Sequence, residues 1–351
     1  MNDIKVAFFV YPSAFQNIGG GEILLLKTKE YLEKEGIQCK LFDIWNDKLE
    51  NFDILHVIGA VKDCLGLMAT AKNKGVKVVL DPVFFSTFQR AFHEDGGIRR
   101  KTEACLRHLV KIAIPYFPSA RRKMMLISDA VIPNSQIELK QLKKLFGISE
   151  EKMFVIPNCV DADFEKGDRD LFITKFGIRD FILSVGRIEP RKNQLNLIRA
   201  ARSFKQPLVM IGNPVSDYMD YYKECKKAGM GKVTFIGGID HGDPMLKSAY
   251  KACSCFVSQG WFETPGLAAL EAGLAGARVA STDKGCTREY FKGFVEYFDP
   301  ADISSIVEAL ERTLSKEKTG AFQLYIKNNL LWDTAARKNI EVYKKILPEK
   351  I

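Results

Sequence analysis

Short runs of β-branched and other apolar residues recur along the chain, and amphipathic stretches of helical period separate them. In the first half the runs are Lys5–Val10, Cys39–Ile44, Ile54–Gly59, Val76–Asp81, Ala130–Pro133 and Met153–Pro157. In the second half they are Phe181–Gly186, Pro207–Gly212, Val233–Gly237, Cys255–Ser258, Arg278–Ser281 and Val295–Phe298. Runs of this length read as buried strands, and strands alternating with helices predict parallel, doubly wound sheets of the α/β class. Two sets of about six such units make two Rossmann-like domains. The polar stretch Asp161–Asp170 joins them and puts the boundary at 168/169. No repeat of solenoid period interrupts the alternation. A sheet of this kind binds ligands beyond the carboxyl ends of its strands, so useful residues should follow strands.

Composition agrees with a folded chain. The 351 residues are 46% hydrophobic and 27% charged, which excludes a disordered, collagenous or coiled-coil protein. Lys and Arg number 52 against 43 Asp and Glu, a net charge of +9. That excess fits nucleic acid, an anionic membrane or a phosphorylated ligand without choosing among them. The amino-terminal apolar run is short and reads as a strand rather than a signal peptide. No stretch approaches the ~18 apolar residues of a membrane span. The eight cysteines contain no C-x-x-C, and reduced core thiols in a cytoplasmic protein are the expectation.

Two segments of the second half carry chemistry. The run ending at Gly186 passes into Arg187 and, five residues on, Lys192. A glycine lets the chain turn tightly, and the planar donor fork of Arg with the compact charge of Lys suits a diphosphate. The alternative is a pair of solvated loop charges. The second segment reads Trp261-Phe-Glu263-Thr-Pro265-Gly266-Leu267-Ala-Ala-Leu-Glu271-Ala-Gly273. Here a helix starting near Pro265 would offer free N–H groups to phosphate, with Gly266 keeping side chains clear. Glu263 and Glu271, as acceptor-only carboxylates, could take hydroxyls of a ribose and a sugar. Alternatively they are a dipole-favoured Glu before the helix and a solvated helical one.

Gly186-Arg187-x4-Lys192 followed by Glu263-x7-Glu271 with Gly266 resembles the nucleotide-sugar site of GT-B glycosyltransferases, in particular retaining glycosyltransferase family 4. Further segments fall in the same order. Gly19-Gly20-Gly21-Glu22 resembles the glycine-rich acceptor-side loop, and Asp53-Ile-Leu-His56 the third strand. Val155-Ile-Pro-Asn158-Cys-Val-Asp161 resembles the interdomain strand and turn. Ser281-Thr-Asp283 with Glu289 resembles the strand and loop lining the sugar pocket, and Trp332 to Tyr343 the closing helix.

The resemblance implies a GT-B fold: two Rossmann-like domains facing a cleft, with the last helix crossing back so that 335–351 completes the 1–168 domain and 169–334 binds the nucleotide-sugar. It implies Arg187 and Lys192 on the diphosphate, Gly186, Gly266 and the Leu267 backbone beside it, Glu271 on the ribose and Glu263 at the donor sugar. Glu263, Arg187 and Lys192 are then the catalytic set, and Gly19, Gly20 and Gly21 face the acceptor. It further implies retention by same-face attack, with the leaving phosphate taking the acceptor proton. The acceptor is a glycan or a lipid-linked glycan, no cofactor is needed, and nucleic acid is not a partner. Three features depart from the pattern. The family histidine after the fourth strand is absent, leaving Asp81 nearby and His93 in the following loop. Cys159 replaces a turn glycine, and the first-half glycines do not form G-x-G-x-x-G. The missing histidine favours the alternative of a non-catalytic GT-B binding protein; an epimerase or a glycan phosphorylase matches the motifs less well.

Asp161-Ala-Asp163 matches a metal-binding D-x-D by chance of composition in a polar linker, and the histidines lack ligand spacing, so no metal site is expected. His56, at the end of the third strand, reads as a packing or acceptor-side residue. Ile98–Ile127 holds eight basic residues against one acidic, interleaved with Leu106, Leu109, Val110, Ile112, Ile114 and Phe117. That mixture suits peripheral contact with anionic lipid at the inner membrane face, or a solvated helix over core leucines.

Overall fold

The computed structural model describes residues 4–16, 19–86, 98–114 and 117–347. His93, Pro115 and Tyr116 lie outside the described residues, as do the side chains of Arg99, Arg100, Lys101 and Lys111. The described chain forms two compact units, one from 4–86, 106–159 and 332–347, the other from 98–105 and 160–331.

The first unit is built on β1 (Lys5–Phe9), β2 (Gln38–Leu41), β3 (Ile54–Ile58), β4 (Lys77–Asp81) and β5 (Ala130–Val131). All pair parallel in the order β2-β1-β3-β4-β5. The helices of this half are α1 (Gly20–Lys34), α2 (Leu65–Asn73), α3 (Ile98–Ala113), α4 (Ala120–Ile127) and α5 (Gln136–Phe146). Side chains alternate across a strand, so Val6 and Phe8 join one core and Ala7 and Phe9 the other. A sixth strand was expected at Met153–Pro157. It makes only a bridge to Val131, with Phe154 N–H on the Val131 carbonyl (2.9 Å) and Ile156 N–H on that of Pro133 (3.1 Å). Its neighbour β5 ends before Pro133, which has no N–H to extend a ladder.

The second unit holds β6 (Ile182–Val185), β7 (Leu208–Ile211), β8 (Val233–Ile236), β9 (Cys255–Ser258), β10 (Val279–Thr282) and β11 (Glu296–Phe298). They form a parallel sheet in the order β11-β10-β9-β6-β7-β8. Its helices are α6 (Arg169–Phe176), α7 (Gln194–Ala201), α8 (Met219–Ala228), α9 (Pro244–Ala252), α10 (Leu267–Leu274), α11 (Thr287–Phe291), α12 (Ile303–Ser315) and α13 (Ala321–Asn329). The last helix, α14 (Trp332–Ile346), returns to the first unit, where Trp332, Ala336, Val342 and Tyr343 are buried in the core that contains Phe8 and Leu25.

The chain divides at Cys159/Val160, ahead of the polar stretch that placed the boundary at 168/169. Val160 donates its N–H to the Leu330 carbonyl (2.9 Å), and this bridge ties it to the second unit. In each sheet the chain winds first one way and then the other. The reversal falls between β1 and β3 in the first sheet and between β6 and β9 in the second, and ligand sites open at such points.

Candidate active site

The loops following β6 and β9 leave the sheet side by side at the second reversal. Gly186 ends β6 with φ +147, and Gly212 ends β7 so close that a Cβ there would stand 2.1 Å from the Gly186 carbonyl oxygen. The two strand ends therefore need glycine for approach as well as conformation. Trp261 stitches the β9 loop to the β6 loop: its indole N–H donates to the Pro190 carbonyl and its backbone N–H to that of Arg191, both at 3.1 Å. Gln194, at the start of α7, donates its amide to the Arg187 carbonyl (2.9 Å).

This stitching brings Lys192 onto Glu263. The ammonium donates to both carboxylate oxygens at 2.8 and 3.0 Å, with 21% and 6% of the two side chains exposed. Burial holds the Lys192 pKa below the usual lysine value, and the Glu263 charge offsets only part of that. Glu263 is itself held by its backbone, accepting from Cys286 N–H at 3.0 Å. Gly285 lies so near that a Cβ would come within 2.0 Å of the Glu263 carbonyl oxygen. Arg187 is half exposed, its guanidinium 3.5 Å from Glu189, a buried carboxylate that also takes Arg191 at 3.1 Å. Arg187 and Lys192 thus leave the same turn with different carboxylate partners, Glu189 and Glu263.

Pro265 is not the first residue of a helix, as the sequence suggested. It follows a cis Thr264–Pro265 bond, and α10 begins at Leu267 with Gly266 as its N-cap at φ +95. The left-handed conformation at Gly266 turns the chain before the helix and leaves the first amides of α10 uncapped by any side chain. Glu271 is not solvated. It is 4% exposed, and its two oxygens accept from Tyr250 OH and meet His241 Nε2, each at 2.8 Å. Burial and the Glu271 charge raise the Tyr250 pKa well above the ordinary phenol, so its hydroxyl stays a donor.

The family model for glycosyl transferases group 1 matches residues 169–329, and that for glycosyltransferase family 4 matches residues 43–164. The chain belongs to the group 1 glycosyltransferases. An uncharacterized glycosyltransferase of Methanocaldococcus jannaschii is 30% identical over 241 residues, covering 62% of this chain and 60% of that protein. A D-inositol 3-phosphate glycosyltransferase of Kribbella flavida is 26% identical over 241 residues, covering 62% and 56%. The chain thus spans less than two thirds of the length of these relatives. A sucrose-phosphate synthase from Thermosynechococcus elongatus superposes with a TM-score of 0.78 at 15% identity, over 98% of this chain and 99% of that one. The Anabaena protein HepE in complex with UDP and glucose does so with a TM-score of 0.74 at 18% identity, over 97% and 100%. The shared fold is GT-B.

Gly19, Gly20 and Gly21, expected to face the acceptor, stand at the start of α1. Gly19 is the N-cap, its N–H donating to Glu22 (2.8 Å), whose other oxygen accepts from Tyr11 OH (3.0 Å). Open space surrounds the Cα atoms of Gly20 and Gly21. His56 proves to be a packing residue, fully buried against Phe8 and bonded on both nitrogens. Asp81 lies 3.0 Å from Nε2 and Tyr343 OH 2.6 Å from Nδ1. The carboxylate accepts from Nε2–H, while the phenol can act as donor or acceptor towards Nδ1. Asp81 is committed to this network. Among the described residues no three carboxylate, imidazole or thiol groups gather as a metal site would need.

Several neighbours of the site escaped the sequence: Glu189, His241, Tyr250 and Gln259, which accepts from Ser184 OH at 2.9 Å. Glu189 carries a local signal, since it lies between Arg187 and Arg191. His241 and Tyr250 meet Glu271 only through the packing of α9 on α10, which no spacing reveals.

Proposed function

We propose that this chain transfers a sugar from a nucleoside diphosphate-sugar to a glycan or lipid-linked acceptor, retaining anomeric configuration and using no metal ion. The observation that carries the proposal is the Lys192–Glu263 pair beside Gly186 and the uncapped start of α10, all at the β6/β9 reversal. A diphosphate placed against α10 meets free N–H groups and the positive end of its dipole. Arg187, half exposed, can swing onto it, and Lys192 can share its protons between the phosphate and Glu263. As the glycosidic bond breaks, negative charge grows on the leaving diphosphate where these cations are already arranged. Glu263, released in part from Lys192, then has a lone pair for a donor-sugar hydroxyl. Glu271, oriented by Tyr250 and His241, keeps acceptor capacity for a ribose hydroxyl. The UDP and UDP-glucose complexes of HepE support this donor class.

The test combines binding with turnover. UDP and other nucleoside diphosphates should raise the melting temperature of the wild type by mass action. Lys192→Ala and Arg187→Ala should each reduce that shift and lower transfer by about 10²–10³-fold. Glu263→Ala should retain nucleotide binding and lose transfer. Activity should persist in EDTA. Full activity in the Arg187→Ala/Lys192→Ala double variant would overturn the assignment. Nucleotide binding without any release of sugar from a nucleotide-sugar would instead identify a non-catalytic binding protein.

A further inference from the structure

A second cavity, of about 430 Å3, opens at the other edge of the second sheet. It is walled by the first residues of β10 and β11, the ends of α10 and α12, and the amino end of α13. All six strands are parallel, so this is the amino edge, opposite the strand ends that lead to Gly186 and Glu263.

Its wall is built to meet an anion. Arg278 is fixed by three backbone carbonyls, donating from Nε to Ser254 (3.1 Å) and from Nη1 to Leu314 (2.6 Å) and Lys316 (2.7 Å). Its Nη2 protons remain unbonded. Lys318 has no carboxylate partner. Desolvation and the nearby cations Arg278, Arg169 and Lys251 hold its pKa below the usual lysine value. Beside these cations lies the start of α13, with Gly320 (φ +70) as its N-cap; the Ala321 N–H meets Thr319 Oγ1 (3.4 Å), and among the described residues the N–H groups of Phe322 and Gln323 meet no acceptor. Of the wall carboxylates, Glu296 is taken by Arg312 (2.8 Å) and Lys316, while Glu317 is solvent-exposed. The wall also has a flat apolar part. Phe294, 39% exposed, stacks on Phe322 and on Tyr325 with ring centres 5.8 and 4.9 Å apart.

We propose that this cavity binds a small phosphate ester, its phosphate held by Arg278, Lys318 and the first amides of α13 and its organic part lying on Phe294. One fixed cation, one exposed cation and free helical N–H groups suit a dianion, and the ring suits an apolar or flat remainder. The site is separate from the donor loops yet shares an element with them. Helix α10 starts at Gly266 and reaches the cavity at Gly273, which touches α13 so closely that a Cβ would lie 2.4 Å from the Phe322 ring. A ligand held at the start of α13 therefore contacts an element packed on α10.

Calorimetric titration with phenyl phosphate tests this, with inorganic phosphate and benzyl alcohol as partial probes. Phenyl phosphate should bind the wild type and Lys192→Ala alike, because the donor loops are not involved. Lys318→Glu alters an exposed side chain, should melt as the wild type does, and should weaken binding at least tenfold. Inorganic phosphate should bind more weakly than the ester, and benzyl alcohol not measurably. Hydrogen exchange at Phe322 and Gln323 should slow when phenyl phosphate is added. Unchanged affinity in Lys318→Glu, loss in Lys192→Ala, or no binding of phenyl phosphate would each overturn the proposal.

Discussion

Glu138 shows how one residue can set a loop. It stands in the first turn of α5, 2% exposed, where Ser135 caps its own N–H at 3.1 Å. Its carboxyl oxygens accept from Phe84 N–H (2.5 Å) and Asn134 N–H (2.7 Å), pinning the loop after β4 to the start of the helix. Burial pushes the carboxyl up from 4.5 to about 8, and the two N–H donors recover only part of that. The folded chain therefore binds the extra proton over a pH range in which the unfolded chain has lost it. Stability should fall as pH rises from about 4.5 to about 8. Glu138→Gln removes the titration and one acceptor. It should melt below the wild type at pH 5, by about 1 kcal/mol, and the gap should shrink and then reverse as pH rises towards 8, because the wild type alone loses stability over that range. Parallel melting curves for the two proteins across that range would contradict this. A Ser three residues before a Glu is, locally, no more than a helix-start pattern. Its burial and its bond to the Phe84 N–H, 54 positions away along the chain, arise only in the folded unit.

At the scale of elements, α3 is the helix whose surface is hardest to reconcile with a solvated face. Leu106, Leu109, Val110 and Ile112 on it, and Ile114 and Phe117 just after it, are 39–54% exposed. An exposed apolar group of this size marks an interaction surface. The basic residues nearby do not all share one role. Arg121 donates to the Ala60 carbonyl (3.2 Å) and Arg122 to that of Phe146 (2.9 Å), so both serve the fold rather than a lipid. Lys123 remains exposed. Contact with anionic lipid should then rest on the apolar residues with fewer charges than the count of eight suggested. Wild-type protein should sediment with vesicles containing anionic lipid at low salt, and Leu106→Ser/Leu109→Ser should abolish this. Equal recovery of both proteins in the supernatant would remove membrane contact from the proposed function. No described helix is long and apolar enough to cross a membrane.

For the whole molecule, the consequential feature is that the first unit is assembled from distant parts of the chain. Helix α14 supplies Trp332, Val342 and Tyr343 to a core otherwise made by residues before Cys159. Tyr343 also closes the His56–Asp81 network. Each such buried side chain is worth about 1.5–3 kcal/mol, so their joint loss is comparable to the whole net stability of about 5–15 kcal/mol of a domain. A chain ended at Leu331 should lose the cooperative melt of the first unit. The second unit, complete within residues 160–331 and the short 98–105 segment, should keep its nucleotide-dependent thermal shift. Loss of both together would mean that the units do not fold separately.

The alternation of apolar runs and amphipathic stretches determined the class of fold, the number of sheets and nearly every strand, because fully buried parallel strands must be apolar on both faces. The spacing of Gly186, Arg187, Lys192, Glu263, Gly266 and Glu271 pointed to the loops after β6 and β9, because such sheets carry their sites on the residues just after the strands. Tertiary structure alone decided what those residues do to one another. Lys192 reaches Glu263 only because Trp261 sews two loops together, and Glu271 is buried only because α9 lays Tyr250 and His241 over it. Pairing and burial depend on contacts between residues far apart in the chain. They set each group's charge and freedom, and local pattern carries no record of them.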